Sequence, residues 1–150
     1  MSYPCLSLPR VLALLGGALL VSAFFMPWFS SQGLLLSGQF LHLFLSNPGD
    51  LRRYLRGSSG SPGEAQLLRA LVDLFPACGA IAFVAALAGA FVRRLAMNIL
   101  LGLAGAIPLI GWAIGITRLP PGANPEIGLW VIASASAGVL VGLAFDLRGD

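Results

Sequence analysis

Four apolar runs constrain this chain more than any other feature. They cover residues 11–29, 74–92, 95–116 and 127–145, and none contains a charged side chain. The hydrocarbon core of a bilayer is about 30 Å thick, and a helix needs roughly 20 residues to cross it. An ion at its centre costs about 2.5–3.5 kcal/mol. The sequence therefore predicts an all-α integral membrane protein, with four transmembrane helices forming one domain over residues 1–150.

The composition agrees with this class. Hydrophobic residues make up 57% of the chain and charged residues 10%, and the mean hydropathy is +0.88. These values exclude an ordinary soluble domain. The net charge of +3 comes from few, scattered ionisable groups, whereas nucleic-acid binding needs a clustered basic face, so we expect no nucleic-acid partner. All nine cations are arginine, which indicates a GC-rich genome, and we expect a bacterial inner (plasma) membrane.

The connections between the runs differ sharply in length. Only Arg93 and Arg94 separate the second and third runs, which predicts a tight helical hairpin. Residues 117–126 join the third and fourth runs, and Asn124 is expected to cap the last helix with Pro125 in its first turn. Residues 30–73, between the first and second runs, form the only long connection. The distinctive features of the chain are therefore expected there.

The long connection carries two helix-start signals. Residues 61–64, Ser-Pro-Gly-Glu, match a capping box and predict a helix that runs on into the second span. Residues 47–50, Asn-Pro-Gly-Asp, predict a short helix through Arg56. Residues 34–45 are apolar but too short to cross a bilayer, which predicts an interfacial or re-entrant helix. The connection is thus expected to be long, partly helical and interfacial.

The inventory of chemically active side chains is short. A single histidine cannot supply a bis-histidine haem site or an HExxH zinc site. No nucleophile elbow, phosphate-binding loop or dinucleotide fingerprint occurs. All six carboxylates fall in predicted loops or at helix ends. We therefore expect no catalytic residue, no metal site and no enzymatic activity.

Two features of the long connection suggest ligand binding. His42 lies in an apolar segment and could donate one axial ligand to a tetrapyrrole, with Gly38 four residues earlier leaving room for a flat ring. Its alternative is an ordinary hydrogen-bonded interfacial histidine. Arg52, Arg53 and Arg56 could bind an anionic lipid headgroup or an acidic partner, or could simply be solvated. No cofactor is required by either feature.

Small residues and tryptophans predict how the helices pack and where they meet the interface. In lipid the hydrophobic effect does not drive helices together, so their association depends on close backbone approach at small residues. Such packing, within the chain or against a partner helix, is expected at Gly111, Gly115, Ser134, Gly138, Gly142, Ala82 and Ala86. Tryptophan favours the membrane interface. Trp28, Trp112 and Trp130 are expected as interface anchors on the side of the long connection.

The arginines indicate an orientation. Cations are nearly balanced between the two sides, but the Arg93-Arg94 turn is flanked directly by two spans and carries the most weight in the positive-inside rule. Both termini are therefore expected in the cytoplasm.

The overall plan is similar to that of claudin-like proteins, which have four spans, a long first loop and a short second one. That family's first loop carries Gly-Leu-Trp followed by two cysteines. Here Gly128, Leu129 and Trp130 stand at the start of the fourth run, and residues 30–73 contain no cysteine. The sequence is therefore assigned to no family.

Three function classes are compatible with these patterns. The leading interpretation is a non-catalytic accessory subunit that packs against larger integral membrane subunits in a hetero-oligomer, surrounded by membrane lipids. The first alternative is a lipid- or pigment-binding module that uses His42 or the three arginines. The second alternative is a small oligomeric channel or carrier, which would need a polar lumen. Polarity at membrane depth is limited to Asn98, Thr117, Ser22, Ser134 and Ser136.

Overall fold

The computed structural model describes residues 7–31, 33–47, 62–88, 94–117, 119 and 122–148. These residues are mostly helical. Their five helices are α1 (Leu8–Ala23), α2 (Gly38–Ser46), α3 (Pro62–Ala88), α4 (Arg94–Thr117) and α5 (Ile127–Arg148). Their three short strands are β1 (Pro27–Ser31), β2 (Leu34–Ser37) and β3 (Ala123–Pro125).

Three of the helices are long and apolar enough to cross a membrane. The candidate spans are Arg69–Ala88 in α3, Leu95–Thr117 in α4 and Ile127–Arg148 in α5, with mean hydropathies of 2.0 to 2.2. Helix α1 is also apolar but has only 16 residues. By length and composition, the chain is an integral membrane protein.

Helix α1 ends at Ala23, earlier than the predicted end at residue 29. The physical reason is Pro27, which has no backbone N–H to donate to the Ala23 carbonyl four residues before it. The indole Nε1 of Trp28 donates to that carbonyl instead, at 2.7 Å. The chain then turns at residues 24–26 and continues as β1.

The four longer helices form an antiparallel bundle in chain order. Helix α1 packs against α3 and α5, and α4 packs against the other sides of α3 and α5. The interior between them is rich in small residues such as Ala13, Ala82 and Ala104. Leu20, Ile132 and Val139 are fully buried. The bundle interior is therefore filled by side chains.

Glycines bring the backbone of α1 into direct contact with its neighbours. A Cβ built at Gly17 would lie 2.7 Å from the Phe83 amide nitrogen and 2.8 Å from the Gly79 carbonyl oxygen. A Cβ at Gly16 would lie 2.8 Å from the Ala135 carbonyl oxygen of α5. Real Cβ atoms do not approach backbone this closely, so both contacts require glycine.

A small antiparallel sheet joins the two connections on one side of the bundle. Its order is β2-β1-β3, so β1 is central and pairs with a strand from each connection. This sheet corrects the all-α prediction. Asn124 pairs with Ser30 in the sheet and does not cap α5, which begins at Ile127 with the Leu129 amide donating to the Glu126 carbonyl.

The helix predictions for residues 30–73 have mixed outcomes. Helix α3 begins at Pro62, as the capping box at 61–64 predicts. Helix α2 begins at Gly38 rather than at residue 34, because residues 34–37 pair with β1 and the Ser37 hydroxyl accepts the Phe40 amide. The predicted short helix at 47–56, including Arg52, Arg53 and Arg56, lies beyond Asn47 and outside the described residues.

We expect Gly17→Ala to lower the free energy of unfolding by about 1–3 kcal/mol, because the added Cβ forces α1 away from α3. Gly115→Ala is the matched control, since a Cβ there meets nothing within 4 Å and alanine is the better helix former. Denaturant titration in detergent micelles measures both. Equal stability of the two variants would contradict the close contact between α1 and α3.

Candidate functional site

The end of the bundle where α1 stops and α3 begins is called here the loop side, and its centre is Trp28. The ring is 5% exposed and packs edge-to-face on Phe75 of α3, with centroids 5.1 Å apart. Its N–H is paired with the Ala23 carbonyl of α1. Trp28 thus links the end of α1 to α3.

Two glycines let other elements close around this indole. A Cβ at Gly38, the first residue of α2, would lie 2.6 Å from the Trp28 ring, and one at Gly128 of α5 would lie 2.8 Å from it. Trp28, expected as an interface anchor, is therefore a core residue that does not present its ring to lipid. The reason is the early end of α1, which turns residue 28 back over the bundle.

His42 of α2 is not isolated, because it contacts Asp73 of α3. Its Nδ1 lies 2.5 Å from Asp73 Oδ1, and both side chains are partly exposed. Asp73 Oδ1 accepts this hydrogen bond and the Nδ1–H of His42 donates it. The ring also meets Phe24 edge-on, with centroids 6.4 Å apart. His42 therefore joins α2 to both α1 and α3.

Arg69 lies on the other side of the same carboxylate. Its Nε is 3.9 Å from Asp73 Oδ2, one helical turn away on α3. Ionisable side chains near membrane depth are costly and are usually paired. Asp73 lies inside the apolar span Arg69–Ala88 and is paired with both His42 and Arg69. The sequence offered one signal for this pairing, an acid four residues after an arginine in an apolar helix, but not the identity of the second partner.

The surroundings of His42 limit what this site does chemically. The space beside Gly38 is filled by Trp28 and Phe24, so the room predicted for a flat ring is taken by the protein's own aromatic side chains. Among the described residues, no three histidine, cysteine or acidic side chains form a group suited to a metal ion. The structure shows His42 in contact with Asp73, which joins α2 to α3.

The other two tryptophans form a pair between α4 and α5. The rings of Trp112 and Trp130 lie 5.9 Å apart. Trp130 is 52% exposed on the outside of α5, whereas the Nε1 of Trp112 is buried without a hydrogen-bond partner in the described part of the chain. Trp130 is thus the one whose ring is most available to the surroundings of the bundle.

The small residues divide into two groups. Some pack inside the chain: Gly111 against the Phe75 ring, Gly142 against Pro9 and Leu12 of α1, and Ala82 and Ala86 in the core. Others are open. A Cβ at Gly115 or at Gly138 would meet nothing within 4 Å, and Ser134 is exposed. The open group leaves room for close approach from outside.

A polar cluster that sequence reasoning did not identify lies at the opposite end of the bundle. Arg10, Asn98 and Asp146 border a cavity of about 20 Å³ between the four long helices. Each lies near the end of its own helix, so only the packing of the bundle brings the three together.

Comparison of the chain with protein-family models, curated proteins and solved structures finds no match. Its function is therefore inferred from its own residues.

We expect Trp28→Phe to lower the free energy of unfolding by about 0.5–1.5 kcal/mol, because the Ala23 carbonyl loses the indole N–H and keeps only the Met26 amide as a donor. Trp130→Phe, on the exposed outer face of α5, should change it by less than about 0.5 kcal/mol. Thermal unfolding in detergent, followed by circular dichroism, compares the two. A Trp28 variant as stable as the Trp130 variant would refute the central position of Trp28.

We expect Asp73→Ala to loosen α2 from α3. A partly exposed pair contributes up to about 1 kcal/mol, so amide hydrogen exchange of residues 38–46 should rise by up to about fivefold. Arg69→Ala is the control, because it removes a neighbour of Asp73 without touching the contact with His42. Similar exchange in both variants would show that the His42–Asp73 contact does not hold α2.

Proposed function

We propose that this chain crosses the membrane four times, through α1, α3, α4 and α5, and serves as a non-catalytic accessory subunit of a larger integral membrane complex. In this proposal residues 30–73 lie at the membrane surface on the loop side. The termini lie on the cytoplasmic side of a bacterial plasma membrane. Arg10 and Arg148, at the terminal ends of α1 and α5, support this orientation under the positive-inside rule.

The observation that carries the proposal is the open face of α5. A Cβ built at Gly138 would meet no atom within 4 Å, and Ser134, one turn earlier, is exposed. Val141 and Phe145 flank them and are also exposed. Glycine inside a helix costs about 1 kcal/mol relative to alanine, and its usual compensation in a membrane is close helix packing. Gly16 and Gly17 have that compensation within the chain, and a partner helix would supply it for Gly138.

The loose packing of α4 also supports a partner. Only 22% of its span is buried inside the chain, against 39% for the spans of α3 and α5. A Cβ at its Gly115 would meet nothing within 4 Å, and Trp130 of the adjacent α5, which packs on Trp112 of α4, is exposed. A larger subunit would therefore find two surfaces, the outer face of α5 and the free side of α4.

The packed interior favours a structural role over a conducting one. Leu20 of α1 and both Ile132 and Val139 of α5 fill the space between the helices. Of the polar candidates for a lumen, Ser134 is exposed on the outside of α5 and Thr117 bonds its own helix through the Ala113 and Ile114 carbonyls. Neither contributes to a polar path along the bundle axis.

The test is purification of the tagged native protein in mild detergent, with mass spectrometry of the co-migrating chains. We expect larger integral membrane subunits in stoichiometric amounts. Gly138→Leu should reduce their recovery at least about tenfold, equivalent to about 1.4 kcal/mol of binding free energy.

Ala144→Leu is the matched control. It lies on the same helix and is also exposed, but it points about 120° away from Gly138 around the helix axis. Equal loss of partners in both variants would locate the contact elsewhere. A wild-type protein that runs alone, or only with itself, would refute the accessory role and favour ligand binding or transport.

A further inference from the structure

Helix α1 is too short to cross the hydrocarbon layer alone. Its 16 residues extend about 24 Å at 1.5 Å per residue, against a layer of about 30 Å. The 23-residue span of α4 extends about 34 Å by the same measure. On the α1 side of the bundle, about 6 Å of membrane depth must therefore be covered by something other than α1.

Helix α2 contacts the residue that directly follows α1. The Gln39 amide donates to the Phe24 carbonyl at 3.0 Å, and the His42 ring, one turn further along α2, meets the ring of the same Phe24. Two successive turns of α2 thus contact Phe24, the residue that follows α1, while α2 packs mainly against α3. A helix with its side chains is about 10–12 Å across, which is enough to cover the depth that α1 leaves uncovered.

The outward face of α2 is apolar, and its inward face carries the polar contact. Phe40 and Leu43 are 48% and 61% exposed, and the Phe40 ring stacks on that of Phe44. Phe25, in the turn that follows α1, is 60% exposed. His42 points the other way, to Asp73. A helix bordered by water would have the opposite arrangement.

This apolar face is continuous with a surface that faces lipid. Leu15 and Leu19 are exposed along α1, one turn apart, and Phe25 follows them at the end of the helix. The Phe25 ring packs on Phe24, and Phe24 contacts α2, so the exposed apolar side chains of α1 lead to α2. The occupant of the α2 face is therefore expected to be the same as that of α1, the acyl chains of lipids.

We propose that α2 is embedded in the loop-side leaflet, with Phe40 and Leu43 against lipid acyl chains, and that it completes the crossing that α1 begins. The His42–Asp73 contact then lies on the side of α2 that faces α3. The embedding needs only the bundle and the bilayer, so it stands or falls separately from the accessory role.

The test places a nitroxide label on the full chain in phosphatidylcholine–phosphatidylglycerol vesicles. Cys5→Ser and Cys78→Ala remove the native thiols, and single cysteines are introduced as Phe40→Cys or Leu43→Cys. Leu19→Cys is the lipid-facing reference, and Asn124→Cys, on exposed β3, is the reference for water. Power-saturation spectroscopy compares collisions with oxygen, which concentrates in lipid, and with a polar nickel chelate.

We expect labels at positions 40 and 43 to match the Leu19 reference, with the ratio of oxygen to nickel collisions several-fold above that at Asn124. A ratio equal to that at Asn124 would place the face of α2 in water and overturn the proposal. Low collision rates with both reagents would show a protein cover and would also overturn it.

A second measurement uses the unsubstituted protein, in case the labelled variants do not fold. Lipids carrying a photoactivatable diazirine on the acyl chain are incorporated into the same vesicles, and the labelled peptides are identified by mass spectrometry. We expect adducts on residues 38–46 at a yield within about threefold of that on the exposed face of α4. Adducts on α4 with none on residues 38–46 would refute the embedding.

Discussion

The direct backbone contact of α1 with α3 and α5 is the constraint on which the rest of the structure depends. Helices in lipid gain nothing from excluding water from one another, so their attraction comes from close packing. Gly16 and Gly17 allow that packing on two sides of α1, against Ala135 and Gly79. This contact fixes the position of α1 against α3 and α5.

The position of α1 and the proline that follows it together determine the loop side. Pro27 cannot continue the helix, and the Trp28 indole donates to the Ala23 carbonyl in place of the missing Pro27 N–H, beside the Met26 amide. The buried indole then becomes the surface on which α2, α3 and α5 meet. The β1 strand is held over the bundle, where it pairs with β2 and β3, and α2 is placed within reach of Asp73.

This arrangement gives the surfaces of the bundle different roles. The glycines of α1 serve contacts inside the chain, whereas Gly138 on α5 serves none and is assigned to a partner helix under the proposed function. The outward face of α2 is assigned to lipid. Charged groups lie towards the ends of the bundle, with Asp73 near one end and Arg10 and Asp146 near the other. Each role depends on which side chains of a helix remain exposed after the helix has packed against its neighbours.

The sequence by itself determined the membrane class, the extents of α4 and α5 and the start of α3. Hydropathy and capping are local properties, so a span or a helix start can be read from adjacent residues. Only the tertiary structure decided the end of α1, the burial of Trp28, the contact of His42 with Asp73 and which small residues face inward. Those features join residues far apart in the chain, such as Ser30 and Asn124. Whether a given glycine, tryptophan or histidine faces a neighbour or the outside depends on how whole helices pack, and no local pattern records that.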